Sequence, residues 1–263
     1  MYGIIQDMEP RVIFEDSDIL VLDKPAGMIV NRSDTTVGEK TVQEWVEGRI
    51  KEVSKGAISP FDTSDTFSTF DTFYQRAGIV HRLDKETSGI LLTAKSPEAF
   101  ENLQKQFKER KIKKTYIAFV HGKVEPGNGE INVPVGRLPW NRKRFGVLAG
   151  GREAVTKYRV IQNSEFRIQN ERLTLLELYP ETGRTHQIRV HLKYFNHPIF
   201  ADLLYAGRKT ARNDRKLLPR IFLHAAKISF CHPKRDELVS FESPLPEELQ
   251  DFLDLTTSSD RCQ

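Results

Sequence analysis

The chain has 263 residues, of which 38% are hydrophobic and 29% are charged, and 40 basic against 36 acidic side chains leave a formal net charge of +4. These values exclude a disordered or fibrous chain and predict a soluble globular protein of one large domain or two small ones. No run of about 18 apolar residues occurs and the first residues turn acidic, so we expect neither a membrane span nor an export signal.

The sequence contains two cysteines, Cys231 and Cys262. Two are too few for a disulfide-rich scaffold or for a zinc site built from four thiolates. We therefore expect a cytoplasmic protein in a reducing environment.

The first part of the chain predicts two strands, a helix and an insert. The apolar stretches 12–14 and 19–22 are typical of strands, and a helix is predicted over residues 41–53. Residues 59–73 repeat Asp-Thr-Phe and Phe-Asp-Thr units and contain no cation. We predict a flexible insert here, more in keeping with a disordered loop than with a lid.

The segment HRLDKETSG (81–89) follows a short apolar stretch and precedes a predicted strand over 90–93. Asp84 is therefore expected on a turn between strands. A guanidinium two residues away, on Arg82, and an apolar neighbour, Leu83, would keep such a carboxylate ionised and shielded from water, as a nucleophile or base requires. The alternative is an ordinary turn residue or a surface ion pair.

Beyond this segment the pattern predicts one well-defined helix and four more strands. Ser96 and Pro97 stand ahead of an apolar face spaced by three and four residues, which predicts a helix over about 97–110. Strands are predicted over 115–120, 156–160, 173–178 and 228–230. Several strands with few helices, and no regular alternation of the two, predict an α+β fold with a mixed, largely antiparallel sheet flanked by helices.

A second dense segment, ETGRTHQIRVHL (181–192), precedes and opens a predicted helix after Arg184. Arg184, Gln187 and His191 are spaced to share one helical face. Such donors could bind phosphate or pair with a buried carboxylate. A zinc site is the weaker alternative, because the two histidines are five residues apart and no HExxH pattern occurs.

Charge is distributed unevenly along the chain. Residues 1–23 and 235–263 are acidic, whereas cations cluster in 105–114, 137–152 and 208–220. Any one cluster is explained equally well as a solvated surface. Three clusters interspersed with aromatic residues, including Trp140, favour a binding surface for nucleic acid.

Three ordered segments resemble the RluA-type family of pseudouridine synthases. They are HRLDKETSG (81–89), KKTYIAFVHG (113–122) and TGRTHQIRVHL (182–192). The resemblance extends through DILVLDKPAGMIV (18–30), NHPIFADLLY (196–205) and LHAAKISFCHP (223–233), and so covers about residues 10–245.

The resemblance implies an isomerisation of uridine in RNA that uses no cofactor and no metal. The N-glycosidic bond is cleaved, the base rotates, and its carbon 5 is joined to the sugar. Asp84 matches the family's essential aspartate, Tyr116 its active-site tyrosine, and Arg184 the arginine that pairs with the aspartate. The matching substrate-binding residues are His81, Arg82, Leu83, Thr87, His186, Gln187, Arg189 and Leu223.

The chemistry of these residue types agrees with the implied roles. A carboxylate is required to attack carbon 1′ of the sugar or to remove the neighbouring sugar proton. A stacked uridine is out of reach, so it must be flipped out and held against an aromatic ring, for which Tyr116 is placed. Tyr116 as a plain strand residue of the core is the alternative.

Several features depart from the family pattern. Asn196 and Ala201 stand where many relatives have Gly, which puts the local loop shape in question. The insert over 59–73 is also unusual. We expect a single catalytic domain over residues 1–263, with its core at about 10–245 and an acidic segment at 246–263, in the short form without the small RNA-binding domain that precedes it in longer relatives.

Two other functions fit parts of the pattern. The basic clusters alone suit an RNA chaperone or ribosome-assembly factor that binds without chemistry. Asp84 and Glu86 together suit a hydrolase with paired carboxylates, which would release free uracil. We expect a monomer whose partner is ribosomal or transfer RNA, and the sequence does not identify the target nucleotide.

Overall fold

The structure is a computed structural model that describes residues 9–32, 38–50, 69–168 and 171–258. In chain order its elements are β1 (Arg11–Glu15), β2 (Ile19–Lys24), α1 (Val42–Arg49), α2 (Thr69–Gln75), β3 (Ser88–Ala94), α3 (Pro97–Lys108), β4 (Lys113–His121), β5 (Asn128–Asn132), β6 (Val135–Leu138), β7 (Asn141–Val147), β8 (Val155–Ile168), β9 (Glu171–Pro180), α4 (Gln187–Tyr194), α5 (Arg208–Asp214), β10 (Leu223–Cys231), β11 (Leu238–Glu242) and α6 (Glu247–Ser258). Each of the seven predicted strands lies within an observed strand, which confirms those predictions.

The chain divides into two compact units. The first contains residues 1–112 and 227–243, and the second contains residues 113–226 and 244–263. Strands pair antiparallel in both units, and helices accompany them. The predicted α+β class with a largely antiparallel sheet is therefore confirmed. In the part of the chain that the structure describes, the helices are all too short or too polar to cross a membrane.

In the first unit, β2 pairs with β1 on one side and with β3 on the other. The strand β3 is buried along its whole length, which is why the apolar residues at its centre, 90–92, are consecutive instead of alternating with polar ones. The helix α3 begins as predicted, because the Ser96 hydroxyl accepts a hydrogen bond from the Ala99 N–H at 3.2 Å. Its Gln106 amide bonds both backbone groups of Cys231, at 2.7 and 3.0 Å, and so ties the helix to β10.

Two predictions in this unit need correction. The helix predicted over 41–53 ends at Arg49, and residues 51–53 lie outside the described part of the chain. The insert predicted over 59–73 is wrong for its last five residues, which belong to α2, whereas 59–68 lie outside the described residues. Burial explains the order of α2, since the fully buried Phe73 packs edge-on against Phe100 with ring centroids 5.8 Å apart.

In the second unit the strands follow the order β4, β9, β8, β5. Their apolar side chains meet residues from α4, α6 and the 199–223 segment in one core. Phe119 lies at its centre, with ring centroids 5.4 Å from Phe222 and 6.0 Å from Phe252. This core fixes the strand β4 and the start of α4, which carry two of the three family segments.

The two residues at which we expected a departure from the family's glycines have a glycine-like backbone. Asn196 and Ala201 adopt φ of 60° and 61°, in the left-handed region. Asparagine tolerates this region well, whereas alanine pays a steric cost there. The buried Asp214 carboxylate offsets that cost by accepting the Ala201 N–H at 3.0 Å. The loop shape that the substitutions put in question is thus held by tertiary contacts.

Candidate active site

Asp84 lies on a turn that leads directly into β3, as the sequence predicts. Its backbone carbonyl accepts the Thr87 N–H at 3.1 Å, and the carboxylate-bearing residue is half-buried. Leu83 beside it is only 4% exposed, so the turn has a buried apolar side chain next to the carboxylate. An acidic group on a turn fixed in this way is preorganised, because few rotations remain to be frozen during a reaction.

The turn is held by a lysine to which the sequence assigned no role. Lys24 is fully buried, and its ammonium donates to the carbonyls of Pro25 and Met28 at 2.8 Å each and of Lys85 at 3.2 Å. The Lys85 carbonyl also accepts the Gly27 N–H at 2.8 Å. Lysine is rarely buried, so only tertiary structure reveals this role. The ammonium ties residues 24–28 to the turn that carries Asp84.

His81 and Thr87 flank Asp84 and differ in their surroundings. The Nε2 atom of His81 accepts the Leu92 N–H at 2.9 Å, and its ring lies 5.1 Å from that of Phe107. The Thr87 hydroxyl is buried and has no hydrogen-bond partner within the described residues. A buried hydroxyl without a hydrogen bond lowers the stability of the fold by about 1–3 kcal/mol. A ligand or water that bonds the Thr87 hydroxyl would remove this cost.

Two arginines lie close together in the same unit. Burial, and then the positive charge of Arg82, lower the pKa of Arg76 below its usual value. The Arg82 side chain is exposed. Within the described residues, neither guanidinium forms a hydrogen bond or an ion pair. Two neighbouring cations without a counter-ion are suited to an anion such as a phosphodiester. Arg76 was not predicted, because it stands outside the HRLDKETSG segment.

In the second unit, Tyr116 lies on β4 opposite Leu178 of β9 and is partly buried. Lys114 is two residues away, so both side chains stand on the same side of the strand. The Lys114 ammonium lies 4.0 Å from the position that a β-carbon at Gly183 would occupy, which places it beside the segment that contains Arg184. Burial lowers the pKa of Lys114 to about 8.

The lowered pKa of Lys114 predicts a pH-dependent stability. Between about pH 8 and the ordinary value of 10.5, the unfolded chain holds this proton and the folded chain does not, so the contribution of Lys114 to the free energy of unfolding should rise with pH. Urea unfolding at pH 7.5 and at pH 10 measures this rise. In the Lys114→Met variant the contribution should disappear, whereas Lys113→Met, at an exposed position of the same strand, should keep it. An equal rise in all three proteins would contradict the assignment.

The 182–187 loop is shaped by Gln187. Its side-chain carbonyl accepts the Thr182 hydroxyl at 2.7 Å and the Arg184 N–H at 2.9 Å, and its amide donates to the Val155 carbonyl at 3.0 Å. The Nε atom of Arg184 donates to the Glu153 carbonyl at 3.0 Å. Its terminal amino groups form no hydrogen bond within the described residues. Arg184 is therefore oriented by the backbone while most of its donors stay available.

His186, Arg189 and His191 occupy three different surroundings. His186 has a left-handed backbone, and its Nδ1 atom lies 2.8 Å from the Tyr205 hydroxyl. Arg189 is buried and forms a two-pronged ion pair with the fully buried Asp202, with both N···O distances at 2.8 Å. His191 is fully buried, and burial lowers its pKa. The face that the sequence predicts for Arg184, Gln187 and His191 is thus mostly interior.

Leu223, the remaining predicted residue, begins β10 and is 3% exposed within the core of the second unit. The backbone carbonyl of Leu223 accepts a hydrogen bond from the Arg220 guanidinium at 3.2 Å. By sequence position, Asp84 belongs to the first unit, whereas Tyr116, Arg184 and Leu223 belong to the second.

One group of side chains has the composition of a metal site. Oxygen and nitrogen atoms of Asp16, Asp18 and His232 lie within 4.8 Å of one another in the described part of the chain. Asp16 and His232 are already engaged within the protein, since Asp16 accepts the N–H groups of Asp18 and Ile19 at 2.9 Å each and bonds His232 at 2.9 Å. These contacts explain the cluster as a structural one.

Comparisons with known proteins agree on one family. The family model described as RNA pseudouridylate synthase matches residues 18–194. The chain is 34% identical over 253 residues to the uncharacterized RNA pseudouridine synthase YlyB of Bacillus subtilis, covering 95% of this chain and 74% of that protein. It is 36% identical over 247 residues to ribosomal large subunit pseudouridine synthase D of Nitrosomonas europaea, covering 92% of this chain and 64% of that protein.

A solved structure shows the same fold. The human protein titled RNA pseudouridylate synthase domain containing 1 aligns with a TM-score of 0.68 at 22% identity, covering 99% of this chain and 98% of that chain.

Proposed function

Because this chain belongs to the RNA pseudouridylate synthase family and is thus an isomerase acting on RNA, we propose that it converts one or a few uridines of ribosomal or transfer RNA to pseudouridine, with Asp84 as the catalytic carboxylate. Relatives named for the ribosomal large subunit make ribosomal RNA the first place to look. The proposed reaction uses neither cofactor nor metal, as the resemblance implies.

The placement of Asp84 carries this proposal. Its carboxylate lies on a turn that contains the buried Leu83, and the buried ammonium of Lys24 donates a hydrogen bond to the Lys85 carbonyl of this turn. A nucleophile or base held in one orientation loses little entropy when it meets carbon 1′ or its neighbouring proton. The order of events is cleavage of the bond between N1 and carbon 1′, rotation of the base, and formation of the bond between carbon 5 and carbon 1′, after which carbon 5 loses its proton and N1 gains one.

We assign three further residues to the uridine. Tyr116 presents an aromatic ring for the flipped base, and its phenol is suited to relay the carbon 5 proton. Arg184 takes the catalytic role that the resemblance implies, with terminal amino groups that the fold leaves available. Leu223 supplies an apolar contact beside the base.

The other predicted residues have different proposed roles according to whether they are exposed or buried. Arg82, together with Arg76, binds phosphate of the RNA backbone, since the pair lacks a counter-ion among the described residues. His81 and Thr87 support the turn and the substrate around Asp84. Gln187 and Arg189 are buried and act by holding the 182–189 segment in shape. His186, in the same segment, contacts the RNA.

We treat residues 1–263 as one catalytic domain, because the family segments are distributed over both units. The enzyme acts as a monomer with RNA as its partner in this proposal. Size-exclusion chromatography with light scattering, with and without RNA, tests the oligomeric state.

Mapping of pseudouridine tests the activity and the target together. Ribosomal and transfer RNA from cells with and without the gene are treated with a carbodiimide that marks pseudouridine, and reverse transcription stops are compared. We expect one or a few stops that vanish without the gene and return with the wild-type gene but not with Asp84→Asn. Restoration by Asp84→Asn would favour a binding function, and unchanged stops in every strain would overturn the proposal.

A further inference from the structure

A basic hairpin in the second unit plays no part in the chemistry assigned above. The strands β6 and β7 pair antiparallel, with Val135 opposite Val147 and Arg137 opposite Phe145. Pro139 and Trp140 form the turn. The sequence revealed the cations of this region but not the hairpin, since neither strand alternates clearly between apolar and polar residues.

The base of the hairpin is fixed to the scaffold. Val135 packs with Val190 and Tyr205 in a small apolar cluster, against which Phe145 and Val147 also pack. The Phe145 N–H donates to the Tyr205 hydroxyl at 3.1 Å, and that hydroxyl lies 2.8 Å from Nδ1 of His186. The hairpin is thus connected through one side chain to the segment that contains Arg184.

The connection also includes His186. The Tyr205 hydroxyl accepts a hydrogen bond from the backbone of Phe145 and is also within hydrogen-bond distance of Nδ1 of His186. The hairpin and a proposed RNA contact are therefore oriented by the same phenol.

The tip of the hairpin has a different character from its base. Trp140 is 76% exposed, more than any other aromatic side chain among the exposed hydrophobic residues of the described chain. Residues 137–152 contain five cations and no acid, and Arg142, Lys143 and Arg144 are exposed. An exposed indole gains nothing for folding, and three adjacent cations repel one another. A polyanion with aromatic faces would cover the indole and would also neutralise the repulsion between the cations.

We propose that the β6–β7 hairpin binds an unpaired strand of RNA, with Trp140 stacked on a nucleobase and the cations of β7 on the flanking phosphates. This inference rests on the proposed RNA substrate. An unpaired strand fits better than a duplex, because paired bases hide their faces and the A-form major groove is too narrow for side chains. Stacking tolerates any base, so the hairpin adds affinity and orientation without reading sequence.

Tryptophan fluorescence measures the contact directly. The chain has two tryptophans, so Trp45→Phe leaves Trp140 as the single reporter. The probe is a short strand of cytidine and guanosine that cannot pair with itself, compared with the same strand annealed to its complement, and neither strand contains a uridine to isomerise. We expect saturable quenching by the single strand and much weaker quenching by the duplex.

Variants separate stacking from charge. Trp140→Ala should weaken binding of the single strand by about 5- to 100-fold, whereas Trp140→Phe should keep most of the affinity. Lys143→Gln and Arg144→Gln should each lower the slope of log affinity against log salt by about 0.7. Lys234→Gln, at an exposed lysine of the first unit, is the matched control and should leave the slope unchanged.

Two outcomes would overturn the inference. Equal quenching and equal loss of affinity with the duplex would make the hairpin a duplex contact, and no effect of any hairpin variant would place it away from RNA. Pseudouridine formation is scored separately by the mapping experiment. If the wild type forms pseudouridine while the hairpin variants bind normally, only this inference fails, and if the hairpin binds but no pseudouridine forms, only the proposed function fails.

Discussion

The Asp84→Asn variant is expected to lose turnover by about a thousandfold or more while its affinity for RNA stays within a few-fold of wild type. The substitution removes the negative charge and keeps the shape of the side chain, so the turn before β3 should be preserved. Positioned acid or base groups contribute about 10²–10⁴-fold to rate, and loss of a nucleophile costs more. Single-turnover formation of pseudouridine, with a parallel binding titration, measures both quantities.

The neighbouring carboxylate provides a matched control for this experiment. Glu86 lies two residues further along the same turn and is half-buried, like Asp84. Glu86→Gln should retain turnover if one carboxylate carries the chemistry. Equal losses in both variants, with free uracil released by the wild type, would favour a hydrolase with paired carboxylates. Loss of RNA binding equal to the loss of turnover in Asp84→Asn would show that Asp84 serves binding and not chemistry.

The largest effect on stability is expected for Asp202→Asn. The fully buried Asp202 accepts two hydrogen bonds from Arg189 at 2.8 Å and also the N–H groups of Leu204 and Tyr205. Asparagine keeps the shape but leaves the buried guanidinium without its counter-charge. Breaking a buried pair in this way lowers the free energy of unfolding by about 3–5 kcal/mol. This is a large share of the total for a typical protein, which is roughly 5–15 kcal/mol.

Urea unfolding measures the cost, and two further variants define its origin. Asp251→Asn, at an exposed position of α6, should leave the free energy of unfolding unchanged. The double variant Arg189→Met with Asp202→Asn should be more stable than Asp202→Asn alone, because it removes the uncompensated charge. A double variant less stable than either single one would show that the pair matters through packing and not through charge.

The same pair also affects the proposed RNA contacts. The Arg189 guanidinium stacks on the Tyr205 ring, with 5.1 Å between its central carbon and the ring centroid. Tyr205 in turn holds His186 and the hairpin base. Loss of the ion pair is therefore expected to weaken RNA binding through the hairpin at temperatures where the variant is still folded.

Features with a local cause were predictable from the sequence. The cap at Ser96, the apolar face of α3 and the period of the strands depend on residues a few positions apart, and all are seen in the structure. The turn at Asp84 follows from its place between an apolar stretch and β3. The family is similarly fixed by ordered segments whose residue types and spacing need no knowledge of the fold.

Features that depend on distant residues were not predictable in this way. Lys24 reaches a carbonyl 61 positions away, and Lys114 lies beside Gly183. The spacing of Arg184, Gln187 and His191 suggested a ligand face, yet two of the three are buried, because periodicity shows which residues share a face and not what covers it. The hairpin carrying Trp140 is likewise defined by its docking on Tyr205.

The sequence by itself thus determined the α+β class and the family, since these follow from local pattern and from ordered segments of residues. Only the tertiary structure decided which charges are buried and paired, as for Arg189 with Asp202, and which stay without partners among the described residues, as for Arg76 with Arg82. The reason is physical: the free energy of a charge depends on its desolvation and on its neighbours in space, and neither is encoded in the spacing of residues along the chain.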